Sequence, residues 1–243
     1  MKLRETVCFT LLLLLSLTTE AKSSDSNYLP SHTSDGNIGL IELPSARFYE
    51  DGEFSFGVST ETPYHRLYST MQFLPWLQAT VRYTEGTHKT YNEGSSQTWK
   101  DKGIDFKVRL LEETDFLPSI AIGLTDLGGT GAYSSEYIVS SKRFNQFDFT
   151  LGMGWGKLAG AVDCDTCIDN PIGKVFDSFN TRGGRAALGG TLNLGRLFTG
   201  PNTSIFYGLE YHTPIPNLSL KLEYDTTNYQ EVRGIERNVF KTG

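Results

Sequence analysis

Several groups of residues in this 243-residue chain are of types that can do chemistry. Cys164 and Cys167 form a Cys-Asp-Thr-Cys pair within a long polar stretch, residues 163–185. In an oxidising compartment such a pair is first a loop-stapling disulfide, with free thiols, a redox couple or a metal site as the other readings. The redox reading lacks the strand-to-helix setting of such motifs. Zinc needs two more ligands, and His32, His65, His88 and His212 are scattered. Asp105, Glu210 and Glu223 are carboxylates that could project into one interior, and a carboxylate pair can hydrolyse glycosidic bonds. Nothing in their spacing sets a catalytic separation. Ser204 and His212 share an alternation face but lie too far apart along an extended strand to touch. Residues 127–132, Leu-Gly-Gly-Thr-Gly-Ala, lack the following helix of a phosphate loop and read as a turn. Asn202-Thr203-Ser204 and Asn217-Leu218-Ser219 match the glycosylation triplet, which matters only in a eukaryotic secretory route. The expectation is a protein without catalytic residues, metal or cofactor.

Composition narrows the class. A formal net charge of −6 without clustered Lys/Arg argues against nucleic acid. With 25 Gly, 15 Phe and 12 Tyr the chain is too aromatic for disorder and suits many strands joined by Gly-rich turns. Lys2 and Arg4 precede an apolar run around 11–17, and Thr19-Glu20-Ala21 offers small residues where a signal peptidase reads. The run is too short to span hydrocarbon as a helix, so residues 1–21 read as a removable secretory signal, with a retained anchor the competing reading. Cys8 precedes the apolar run and is not placed for lipoprotein acylation. No later window is a transmembrane-helix candidate, so membrane residence would have to come from strands.

Residues 22–37 are polar and read as a mobile leader. From Ile38 onward a period of two recurs, with apolar positions at 54/56/58, 77/79/81/83, 104/106/108/110, 120/122/124, 147/149/151/153, 188/190/192/194, 205/207/209/211 and 218/220/222/224. A further strand covers 137–143. Many runs reach the roughly 9–11 residues that a tilted strand needs to cross a bilayer, beyond the mode of about 5–6 in soluble sheets. The alternate face carries Arg82, Asp105, Lys107, Arg109, Glu210, Lys221 and Glu223, which suits a wet lumen. A soluble sheet with one solvated face would alternate in the same way. Breaks at 112–115 and 144–146 are short; the polar stretches 85–101 and 163–185 read as long loops on the other side, with a helical turn or two near 171–179. Tyr64, Tyr68, Trp76, Tyr83, Trp155, Tyr211, Tyr224 and Tyr229 fall towards strand ends, as interfacial girdles do.

Gly39-Leu40-Ile41-Glu42-Leu43-Pro44-Ser45-Ala46-Arg47, followed by Asp51-Gly52, resembles the YjbH family of exopolysaccharide-biosynthesis-associated outer-membrane proteins. Residues 124–131, 152–156, 208–211 and 218–225 extend the likeness across most of 38–230. The resemblance implies an outer-membrane component of a polysaccharide secretion or assembly system. Family members are typically longer, which implies the N-terminal portion of a larger barrel. The family supplies no catalytic motif. The expected architecture is therefore all-β: an antiparallel up-and-down outer-membrane barrel or partial barrel of about ten strands over 38–243. Its partners would be outer-membrane lipid, an exopolysaccharide and other secretion proteins, and its sugar-contacting candidates the seven charged interior residues above. An exported structural or adhesive β protein and a carbohydrate-active enzyme are the alternatives.

Overall fold

A computed structural model describes residues 29–90, 96–160, 167–184, 192 and 194–228, side chains 88 and 89 apart. Its strands are β1 (Phe54–Glu61), β2 (Tyr64–Leu74), β3 (Leu77–Thr90), β4 (Thr98–Leu111), β5 (Ser119–Thr125), β6 (Ser135–Phe144), β7 (Phe147–Gly156), β8 (Cys167–Asp169), β9 (Asn202–His212) and β10 (Ser219–Tyr224). They form one sheet in the order β1-β2-β3-β4-β5-β6-β7-β9-β10, with short β8 also on β9. All pairings are antiparallel. The chain is thus an all-β up-and-down meander. Among the described residues β1 and β10 do not meet, so the sheet is an open, partial barrel.

Polarity is inverted relative to a soluble protein. Phe54, Phe56, Val58, Leu67, Val81, Ile104, Leu110, Ile138, Phe149, Leu151, Leu220 and Leu222 are exposed, Val58 and Leu222 each at 72%. The opposite face buries Thr70, Gln72, Gln78, Thr80, Arg82, Asp105, Lys107, Ser141, Asp148 and Glu210. Period-two alternation puts the two sets on opposite sides of every strand.

Residues 31–48 run across the polar face. One 18-residue segment touches β2 through Asp35 and Arg66, β4 through Lys107, β7 through Arg47 and Asp148, and β10 through Glu223. The sheet therefore curls around it. Leu40, Leu43, Ala46 and Phe48 from the segment pack with Ala121, Tyr137, Val139 and Phe206 from the strands and with Leu158 from the 3-10 turn that follows β7. Three inward aromatics each face a glycine on the neighbouring strand: Tyr68 opposite Gly57, Tyr137 opposite Gly123 and Phe206 opposite Gly152. A Cβ at these glycines would lie 2.5, 2.1 and 2.1 Å from the facing ring's Cζ, so the ring occupies the space that the missing side chain leaves. This explains Phe206, which interrupts the apolar pattern of β9 by pointing inward.

Connections on one side are short, at 75–76, 112–118, 145–146 and 213–218; on the other side β1 joins β2 through the tight 62–63, β5 joins β6 through 126–134, and the longer links from β3 to β4 and from β7 to β9 begin. Asn145 takes φ 53° in its two-residue turn, a conformation that Asn tolerates.

Several expectations change. β2 shows no clean alternation because its inward positions hold Tyr64, Arg66, Tyr68, Thr70 and Gln72. β3 and β4 run well into the polar stretch 85–101, since residues facing a polar interior need not be apolar. Of the strand expected at 188–194, Leu192 is outside regular structure and Leu194–Arg196 forms a 3-10 turn; the rest lies outside the described residues, as does Tyr229. The helical turn near 171–179 is a 3-10 turn at Asp177–Asn180. Tyr64 and Tyr68 point inward and are not girdle residues. Trp155 keeps the outward parity of β7 but is covered by Asn170 and Phe198 of the connection that follows, whereas Trp76 is 48% exposed at a turn.

Candidate functional site

The interior is a set of charged strand residues closed over by the N-terminal segment. Lys107 is 1% exposed, and its ammonium donates to the carbonyls of Ile38, Ser45 and Arg47 at 3.2, 3.3 and 2.7 Å. Those acceptors match its three N–H groups. Its Nζ also lies 4.6 Å from the Phe48 ring centre. Arg82 Nη1 donates to Asp105 Oδ2 at 2.6 Å. Asp105 also accepts from Asn37 Nδ2 and from the Asp126 backbone N–H, both at 2.7 Å.

On β10, Glu223 accepts the backbone N–H groups of Ile41, Glu42 and Leu43 at 3.0, 2.9 and 3.2 Å. Lys221 donates to the carbonyls of Gly39 and Leu40, each at 3.0 Å, and to Ser31 Oγ. The strand thus matches a carboxylate to a run of donors and an ammonium to a run of acceptors. Glu210 accepts from Ser219 Oγ at 2.7 Å and lies 3.9 Å from Lys221. Arg109 stacks on Phe48 at 4.6 Å and meets Glu112 at 3.5 Å.

Of the seven charged residues singled out from sequence, five (Arg82, Asp105, Lys107, Lys221 and Glu223) are thus gathered into two groups that bind the segment directly or through Asn37. Arg109 meets the segment through the Phe48 ring, and Glu210 lies at the margin beside Lys221. Residues 31–37, read as a polar leader, are part of this arrangement. Thr70 Oγ1 donates to Gly36 O at 2.6 Å, and Asp35 sits 3.0 Å from Arg66 and 3.7 Å from Lys157. Burial alone would raise the Asp35 carboxyl, but Lys157, Arg66 and Arg82 together hold it well below the usual carboxylate range. Burial and the nearby Asp35 charge raise Glu42. His32, lowered by burial, bridges Gly36 O at 2.8 Å and the Tyr49 hydroxyl at 3.1 Å, as a neutral imidazole can.

Three further anchors escaped the sequence reading. Arg47 clamps Asp148 with two bonds and also reaches Glu113. Arg182 donates to both oxygens of Glu136, at 2.8 and 2.9 Å. Asn170, fully buried, accepts from Trp155 Nε1 and Ile172 N and donates to the carbonyls of Phe179, Phe198 and Gly200. The inward parity of Asp148 in β7 was the available signal for the first; loop residues such as Asn170 and Arg182 carry no periodic signal. Cys167 is disulfide-bonded. Its expected partner Cys164 lies outside the described residues. Among those residues no group of His, Cys, Asp and Glu is arranged to hold a metal ion, and no helix is long and apolar enough to cross a membrane.

Fold and interior together define the class: an up-and-down partial barrel, apolar outside and polar inside, filled by its own N-terminal segment. The chain belongs to the YjbH family, described as exopolysaccharide biosynthesis protein YbjH, which it matches over residues 31–241. It is 39% identical over 206 residues to a protein of Escherichia coli (strain K12) named uncharacterized lipoprotein YjbH, covering 83% of this chain and 29% of that relative. The chain thus spans less than a third of the length of the curated relative it matches. No solved structure matches.

Proposed function

We propose that the chain is exported and forms part of an outer-membrane β-barrel wall that serves exopolysaccharide export or surface assembly, without catalysis of its own. The observation that carries this reading is the inverted polarity. Bulky apolar side chains such as Phe56, Val58, Leu151 and Leu222 are exposed, while Arg82, Lys107 and Asp105 are buried. In water that arrangement wastes apolar burial and desolvates charge; against lipid it is favourable on the outer face. Strands of 10–14 residues in β2, β3, β4, β6, β7 and β9 suit a bilayer crossing. The lipoprotein designation of the E. coli relative also supports an exported, membrane-associated protein. Family membership supplies the polysaccharide context.

Lipid is the partner of the outer face. An open apolar groove of about 660 Å³, bordered by Phe149, Leu151, Tyr207, Leu209, Leu222 and Tyr224, has the lining for an acyl chain. In this reading Arg82, Asp105, Lys107, Lys221 and Glu223 fix the N-terminal segment to the wall. Membrane fractionation of the mature protein, followed by gel mobility with and without heating, tests the proposal. Recovery in the outer-membrane fraction with heat-modifiable mobility is expected. A soluble periplasmic monomer would overturn it.

A further inference from the structure

We infer that the sheet is closed by an odd number of additional strands from another stretch of β-forming polypeptide, pairing antiparallel with β10 at one edge and β1 at the other. The inference rests on the membrane reading above. The path from β1 to β10 contains nine strands. Every step along it is antiparallel, so β1 and β10 run in the same direction. Among the described residues neither strand has a partner on its outer edge. The apolar face continues to both edges, through Phe54, Phe56 and Val58 on β1 and Leu220 and Leu222 on β10. In hydrocarbon an edge with unpaired N–H and C=O groups has no solvent to satisfy it, so both edges must be covered.

Direction decides what can cover them. Direct closure of β10 on β1 makes a parallel seam in an otherwise antiparallel wall. Two copies related by an axis along the barrel make two such seams. Two copies related by an axis in the membrane plane pair antiparallel, but place the long loops of one copy on the opposite side of the membrane from those of the other. An odd number of inserted strands avoids all three outcomes and brings the total to the even number usual in bacterial single-chain barrels. Polypeptide for such strands exists in the family, since more than two thirds of the E. coli relative lies outside the match.

Disulfide crosslinking in outer-membrane particles tests this. Val58→Cys with Leu67→Cys, directly opposite across β1 and β2, reports the intact edge and is expected to crosslink. Phe56→Cys combined with Leu220→Cys or Leu222→Cys is expected to crosslink neither within one chain nor between copies. Amides of β1 and β10 that are not bonded to β2 or β9 are expected to resist hydrogen exchange as β4 does. A Phe56–β10 crosslink of either kind, or freely exchanging edge amides, would overturn the inference while leaving the membrane reading intact. Failure of the membrane reading itself appears earlier, as a soluble chain at fractionation.

Discussion

Arg47 closes on Asp148 through two bonds of 2.7 Å, from Nε to Oδ2 and from Nη2 to Oδ1, joining the N-terminal segment to β7 across a separation of 101 residues. A bidentate guanidinium–carboxylate pair fixes orientation as well as position. Both side chains are largely buried, at 13% and 4% exposed. Asp148→Ala is expected to cost about 2–4 kcal/mol, since it leaves a buried charge with only Glu113 opposite. Trypsin cleavage after Arg47 should then become fast, because the segment's end is released. Unchanged cleavage and unchanged thermal unfolding would show that the clamp does not hold the segment.

Gly152 and Phe206 make a second, apolar test. Gly152→Ala places a methyl against a ring that is fully buried, and overpacking of this kind costs about 1–3 kcal/mol. Phe206→Leu alone is also destabilising, yet it should recover part of the loss in the double variant. The coupling energy of that cycle, read from denaturant unfolding, is expected to be favourable; simple additivity would mean that ring and glycine do not share one space.

Asp126, in the 126–134 loop, has its carboxyl pushed up to about 7, by burial first, with Asp101 and Asp105 adding to the effect and Arg82 opposing it. Its folded form binds a proton that the unfolded chain releases near pH 4. That contribution is complete below pH 4 and is lost as pH rises through about 7. Asp35 has the opposite sign: its carboxyl is held low, so its contribution is present above the ordinary carboxylate range and is lost on acidification through and below it. Thermal unfolding of the refolded chain should show stability falling from pH 5 to pH 8. Asp126→Asn should flatten that limb, and a limb unaltered in the variant would remove Asp126 as its cause.

Asn170 holds the 157–201 connection with both ends of its amide. Asn170→Asp keeps the shape but replaces an NH2 donor to three carbonyls with an oxygen, and is expected to cost about 2–4 kcal/mol locally. Trypsin sites at Lys174 and Arg182 report it without requiring global unfolding. Equal proteolysis of the parent and the variant would mean that the loop is held by other contacts.

Most strands were legible in the sequence because alternation is a local property. Phe54, Phe56 and Val58, or Leu218, Leu220 and Leu222, announce their face without reference to anything distant. β2 was not legible, because a strand between two polar-lined neighbours needs no apolar inner face and its outer face mixes Leu67, Met71 and Phe73 with His65 and Ser69. The charged positions Arg82, Asp105, Lys107 and Glu210 lie on the buried face of their strands. Their partners were hidden, because Lys107 binds carbonyls that any residues at 38, 45 and 47 would supply. Nothing in the composition of 31–37 distinguishes a docked segment from a free one.

The sequence by itself determined the class of sheet, the order of most strands and the side on which charge falls, because each follows from side chains two residues apart on one strand. Only the tertiary structure decided that this charge faces a segment of the same chain, that β1 and β10 do not pair among the described residues, and that Arg47, Asp148 and Asn170 join separate parts of the chain. Those outcomes depend on which groups the folded chain brings together across separations that run from 30 residues at Asn170–Gly200 to 182 at Ile41–Glu223, and no local pattern encodes those distances.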